Sequence, residues 1–172
     1  IGQLVTINFI YFIFDFKFNL ILENLVILIG ILSNLYLIYI NKNTQLLDKT
    51  AFLFLLIDTF QLSFLIYLTG GMANAFSIFL IIPAIFSTSN LGFRSNFLLV
   101  SITVLIIIFL TFFYQPLPYP VNEHFHVDSY YYYSIPISLI IALIFLNYFS
   151  LAFGKESRIR KEALNKMEEI MS

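Results

Sequence analysis

Cysteine and tryptophan are both absent from the 172 residues, and charge is scarce, with Lys, Arg, Asp and Glu together at 11%. Without cysteine there is no disulfide, no thiolate metal ligand and no thiol redox switch within the chain. A soluble domain carries roughly 25% charged residues. A chain this poor in charge cannot cover a water-facing surface. The net charge of −1 is near balance and carries no argument about nucleic acid, which is not expected as a direct partner.

What is present is apolar. Hydrophobic residues make up 60% of the chain, with 21 Phe and 11 Tyr, and the mean hydropathy is +0.90. This is the composition of an integral membrane protein. Crossing the hydrocarbon core as a helix takes about 20 apolar residues. In lipid the backbone must satisfy its own hydrogen bonds, so each crossing is a helix. Apolar runs lie at Ile1–Phe14, Leu20–Ile40, Ala51–Leu68, Phe76–Leu91, Asn96–Tyr114 and Tyr132–Phe153. The first is short, and it lacks the basic front and small-residue cleavage site of a signal peptide. The fourth is also short and contains Pro83. The expected fold is all-α: an integral membrane bundle of six transmembrane helices over 1–153, then a cytoplasmic signalling helix over 154–172. The chain opens on Ile1 and closes on Ser172 within a charged helical pattern. It is therefore expected to be part of a longer protein, with a truncated first span.

Basic residues gather after the second run (Lys42, Lys49), after the fourth (Arg94) and after the sixth (Lys155, Arg158, Arg160, Lys161, Lys166), with Lys17 the exception. The positive-inside rule places these linkers and both termini in the cytoplasm. "TGGMANA" and "QPLPYPVNEHFHVDS" then fall outside. Tyr130–Tyr133 suit the outer interface, where amphipathic rings collect. His124 and His126, in that outer loop, read as part of a solvated segment, and no metal site is expected. In the tail, Ile159, Ala163, Met167 and Ile170, or Leu164, Met167 and Met171, make helical stripes. They suit either a helix lying on the lipid surface or a parallel two-helix seam.

Asp58 lies inside the third run, and an ionisable group there is costly and functional by default. Gln61, three residues on, shares its helix face, and Thr69 falls near the same stripe. The seam serves either as polar glue between helices or as part of a site. It leads to "TGGMANAF". Gly70 and Gly71 can end one helix, and Asn74 can cap the next, which makes a plain turn. The same residues also suit a ligand. Glycines admit a flat molecule close to the backbone, a helix start offers free N–H groups, Asn74 both donates and accepts, and Phe76 offers a ring face. A quinone head group, flat and lipid-borne with carbonyl acceptors, meets these demands, docked between the third and fourth spans.

The stretch "LIDTFQLSFLIYLTGGMANAFSIFLIIPAIFSTSNL", with "QPLPYP" and "IGQL" elsewhere, resembles the membrane domain of the RegB/PrrB-type redox-sensing histidine kinases. That family has six spans and a Gly-Gly-x-x-Asn-Pro-Phe heptapeptide between the third and fourth. Gly70, Gly71, Asn74 and Phe76 match it, and Asp58, Gln61, Leu68, Thr69 and Pro83 look familial. Ala75 stands where the family has proline, which would fix the backbone at a first helical position. The resemblance implies ubiquinone, or another membrane quinone, bound by Thr69, Gly70, Gly71, Asn74, Ala75 and Phe76. It gives Asp58, Gln61 and Pro83 relay or packing roles. It also implies a homodimer in the bacterial inner membrane, with a coiled-coil linker to a kinase core outside this segment. That core would bind ATP, autophosphorylate and pass phosphate to a response regulator; no catalytic residue is expected here. The other readings are a transporter or channel subunit using Asp58, and a structural anchor that dimerises the kinase.

Overall fold

The computed structural model describes residues 2–13, 18–40, 48–116 and 128–171, with side chains for all of these except 2, 10, 90, 155–166 and 168–171. The elements are α1 (Gly2–Ile13), α2 (Leu20–Ile40), α3 (Asp48–Leu68), two 3-10 turns (Gly71–Ala73 and Ala75–Leu80), α4 (Ile81–Asn90), α5 (Phe93–Phe112) and α6 (Ser129–Met171). Four stretches are long and apolar enough to cross a membrane: α2, α3, α5 and Ser129–Gly154 of α6. Two further apolar helices are shorter, one within α1 and one over Ala75–Ser89.

The fourth run is not a single α-helix. It begins as a 3-10 turn over Ala75–Leu80 and becomes α-helical at Ile81. Pro83 explains the switch. Proline has no N–H to give the preceding turn and is tolerated only in the first turn of a helix, where that donor is unpaired anyway. The α-helix therefore starts two residues before it.

The core lies between α3, α4, α5 and α6. Leu62 and Ile66 of α3, Met72, Leu80, Ile81 and Ala84 around the turn and α4, Ile107 and Leu110 of α5, and Leu139 and Leu143 of α6 form one buried cluster. At one end a polar knot joins three of these helices. Asn96 Nδ2 donates to Asn147 Oδ1 at 3.2 Å, and Asn147 Nδ2 donates to Asn96 Oδ1 at 3.2 Å and to the Ala84 carbonyl at 3.3 Å. Ser87 Oγ is within reach of the Ala84 carbonyl and Asn96 Oδ1. At the same end Asp48 Oδ1 accepts from the Gly92 N–H at 2.5 Å and Oδ2 from Ser95 Oγ at 2.5 Å, tying the start of α3 to the α4–α5 turn. Among apolar spans such hydrogen bonds hold helices that hydrophobicity cannot pull together.

The α1–α2 pair stands against α3 at the edge of this core. Asn8 and Asn24 exchange amide hydrogen bonds at 2.9 and 3.3 Å, fastening α1 to α2. Much of α2 is exposed, including Ile21, Leu25, Leu28, Ile29, Leu32 and Leu35, as befits a lipid-facing surface. α6 continues as one helix of 43 residues, about 65 Å at 1.5 Å per residue, roughly twice the hydrocarbon thickness. The tail stripes foreseen on Ile159, Ala163, Leu164, Ile170 and Met171 lie outside the described side chains, and so do the basic residues Lys155–Lys166. His124 and His126 lie outside the described residues altogether.

Candidate functional site

The turn between α3 and α4 is built by residues with left-handed backbone. Gly70 has φ 100° and ψ 13°, and Gly71 has φ 62°. Only glycine adopts such angles without penalty, so the pair reverses the chain where α3 ends. Asn74 then fastens the turn. Its Oδ1 accepts from the Phe76 N–H at 2.9 Å, which is the cap expected from the sequence. Its Nδ2 donates to Thr69 Oγ1 at 2.6 Å and to the Thr69 carbonyl at 3.2 Å, so one side chain staples the end of α3 to the start of the next helix.

Gly71 faces the core. A Cβ on Gly71 would lie 2.7 Å from Tyr114 Cβ and Cγ and 2.9 Å from the Leu110 carbonyl oxygen. Tyr114 is itself packed 5.7 Å, ring to ring, from Tyr132, whose hydroxyl donates to the Thr111 carbonyl at 2.6 Å. The backbone approach that glycine permits is thus used by the chain's own α5 on that side.

On the other side of the turn a cleft of about 950 Å³ opens between the α1–α2 pair and the core. From α1 it takes Gln3, Thr6 and Ile7; from α2, Glu23, Ile27, Gly30, Ile31 and Asn34; from α3, Asp58, Gln61, Leu62, Leu65 and Ile66. The turn and α4 add Thr69, Ala73 to Phe76, Phe79, Ile82 and Pro83. Of the residues picked out in the sequence, Thr69, Asn74, Ala75, Phe76, Asp58, Gln61 and Pro83 share this one lining; Gly70 and Gly71 do not. The cleft also differs in place from the expected one. It lies on the α2 side of α3, because the space between α3 and α4 is filled by Leu62, Ile66, Leu80, Ile81 and Ala84.

The polar groups of the cleft run along the α2–α3 seam. Asn34 Nδ2 donates to Asp58 Oδ1 at 3.3 Å, so Asp58 does bond across to a neighbouring span. One turn nearer the α3–α4 turn, the Gln61 side chain occupies the space where Gly30 has no Cβ. Small residues let membrane helices approach in this way. Nearest in register to the α3–α4 turn comes Glu23, 1% exposed, with no hydrogen-bond partner for either carboxylate oxygen among the described residues.

Glu23 is not among the residues picked out for the site from the sequence. The available signal was an acid within an apolar run, four and seven residues before Ile27 and Gly30 on the same helical face. The knot of Ser87, Asn96 and Asn147 was also missed, since pairing between such distant positions leaves no local mark.

These are the features of a multi-pass membrane domain with a lipid-level cleft beside a reverse turn. A family model described as the PilS-like transmembrane domain, of six spans, matches residues 15–157, and the chain belongs to that family. The chain is also similar to a protein from Cereibacter sphaeroides named sensor histidine kinase RegB. The two are 29% identical over 123 residues, which cover 72% of this chain and 27% of that relative. The resemblance to RegB/PrrB-type sensor domains read from the sequence is thereby borne out. No solved structure matches the chain.

Proposed function

We propose that the chain is the membrane sensor portion of a two-component histidine kinase, and that the cleft binds a membrane quinone whose redox state sets autophosphorylation and transfer to a response regulator. The observation that carries this reading is the cleft itself. Its volume, about 950 Å³, lies in the range of small-molecule sites, roughly 300–1,000 Å³. It is mainly apolar, and its lining includes Asn74, Ala75 and Phe76 of the heptapeptide-like turn. The similarity to RegB, which spans 27% of that protein, supports a kinase parent; a homodimer is part of the proposal.

The reading also assigns sides. Lys49 and Arg94 are exposed at the end of the bundle where Asp48 meets Gly92. The positive-inside rule supports that end, and the exit of α6, as cytoplasmic in a bacterial inner membrane. The end of the cleft beside the α3–α4 turn then lies on the outer side, at the lipid boundary where quinones travel. A ligand shifts a signalling equilibrium only by its differential affinity for the two states. Oxidised and reduced quinone must therefore bind unequally or favour different packings. The route to the output helix runs through α4, since Pro83 lines the cleft and the adjacent Ala84 carbonyl accepts from Asn147 of α6.

The test is titration of a short-chain ubiquinone into the protein in lipid nanodiscs, comparing wild type with Phe76→Ala and Asn74→Ala. Saturable binding weakened by both substitutions supports the reading, and binding unchanged in both refutes it. A cation-transport reading is favoured by the Asn34–Asp58 pair lying in the same cleft as Glu23. Cation flux in proteoliposomes, abolished by Asp58→Asn, would select it instead.

A further inference from the structure

We propose that Glu23 is a ligand-contacting residue of the cleft, whose carboxyl group hydrogen-bonds the head group of the occupant from the wall opposite the α3–α4 turn. The proposal rests on the quinone reading and adds to it a polar contact outside the heptapeptide-like turn.

The placement follows from helix register. α2 and α3 are consecutive, antiparallel and in contact. Asn34 pairs with Asp58, and Gly30 faces Gln61. Moving seven residues back along α2 from Gly30, and seven forward along α3 from Gln61, sets Glu23 level with Leu68 and Thr69. Glu23 thus stands at the depth of the turn, across the cleft from Thr69 and Asn74, and all three line it.

The polar groups on the turn side are already engaged. The Asn74 amide holds Thr69 and its oxygen holds the Phe76 N–H. Thr69 Oγ1 donates to the Leu65 carbonyl at 2.7 Å. The α2 N-terminus has its own cap, because Asn19 Oδ1 accepts from the Leu22 N–H at 3.2 Å. Glu23 is therefore not used to cap its helix. Its oxygens are the buried side-chain polar atoms left without a partner among the described residues. A buried polar group in that state is costly, and the cost is offset when a ligand supplies the partner.

The chemistry fits a carbonyl-bearing ring in either redox form. A protonated carboxyl has one O–H donor and one carbonyl acceptor. It donates to a quinone carbonyl and accepts from a quinol hydroxyl. Glutamine offers the same pair of functions at nearly the same shape, and leucine offers neither.

The experiment uses the full protein in lipid nanodiscs, with short-chain ubiquinone and its reduced form as probes, and reads dissociation constants and Tm. Wild type should bind, Glu23→Gln should stay within about threefold, and Glu23→Leu should lose about tenfold or more, the scale of one buried hydrogen bond. The ligand-free Tm of Glu23→Leu should equal or exceed wild type, because an unpartnered polar group has been removed. A merely structural Glu23 would instead lower it. Wild-type binding with Glu23→Leu unchanged overturns the proposal and leaves the quinone reading standing, as does a loss of binding accompanied by a fall in Tm. Absence of binding in wild type overturns the quinone reading itself, and this contact with it.

Discussion

Gly71→Ala should unfold the turn from the core side. Two costs add. Alanine at φ 62° occupies the left-handed region at about 1–2 kcal/mol. Its Cβ would lie 2.7 Å from Tyr114 Cβ and Cγ and 2.9 Å from the Leu110 carbonyl oxygen, where ordinary contact is 3.4–4 Å. None of these atoms is the free end of a flexible chain. Tyr114 Cβ is fixed by its backbone, and the Leu110 oxygen belongs to α5. Relief therefore means moving the end of α5, an overpacking cost of about 1–3 kcal/mol. The sum is about 2–5 kcal/mol. At roughly 2–4 °C per kcal/mol for a chain of this size, Tm in detergent should fall by roughly 4–20 °C. Gly154→Ala is the control: nothing lies within 4 Å of its Cβ, and alanine is the better helix former. Thermal unfolding followed by loss of the monodisperse peak measures both. A Gly71→Ala protein within about 2 °C of wild type would refute the account of the turn.

Asn74→Ala removes the acceptor for the Phe76 N–H and two bonds to Thr69; the expected loss is about 1–3 kcal/mol, read as Tm. Asn74→Asp keeps the cap but points an acceptor at the Thr69 carbonyl, and should also lie below wild type; equal stability would show that the Thr69 bonds contribute nothing. Ala75→Pro should be stabilising by about 0.4–1 kcal/mol, because Asn74 at φ −73° and ψ 125° already has the extended backbone that a following proline requires; a lower Tm would count against that geometry. Asn147→Leu breaks the knot with Asn96 and Ala84 and should cost about 0.6–1.7 kcal/mol, measured by SDS titration, with no change expected if the knot is incidental.

Much of the bundle was legible because lipid imposes a simple rule. The second apolar run, Leu20–Ile40, coincides with α2, and the third ends where α3 ends, at Leu68. Starts were harder to read. α3 begins at Asp48 and α5 at Phe93, since polar residues fit a first turn as well as a loop does. The change from 3-10 to α-helix inside the fourth span was not legible, because a 3-10 turn has no distinct apolar pattern. The turn chemistry of Gly70, Gly71 and Asn74 was readable, being local. The direction each residue faces was not. Whether a glycine approaches a ligand or a tyrosine depends on α5, forty residues along, and the side of α3 on which the cleft opens depends on how α2 leans. Asp58 and Gln61 were found as polar outliers in an apolar run. Their partners, Asn34 and Gly30, are ordinary residues until α2 is laid beside α3.

The unbroken course of α6 has a mechanical consequence. From Asn147 to Met171 the helix extends 24 residues, about 36 Å at 1.5 Å each, with no proline or turn to absorb bending. A tilt of about 5° pivoting at the level of Asn147 would swing the far tip by about 3 Å by the same rise per residue. A small adjustment where α4 grips this rod is thus geared up into a displacement comparable to half a helix radius at the level of Met171.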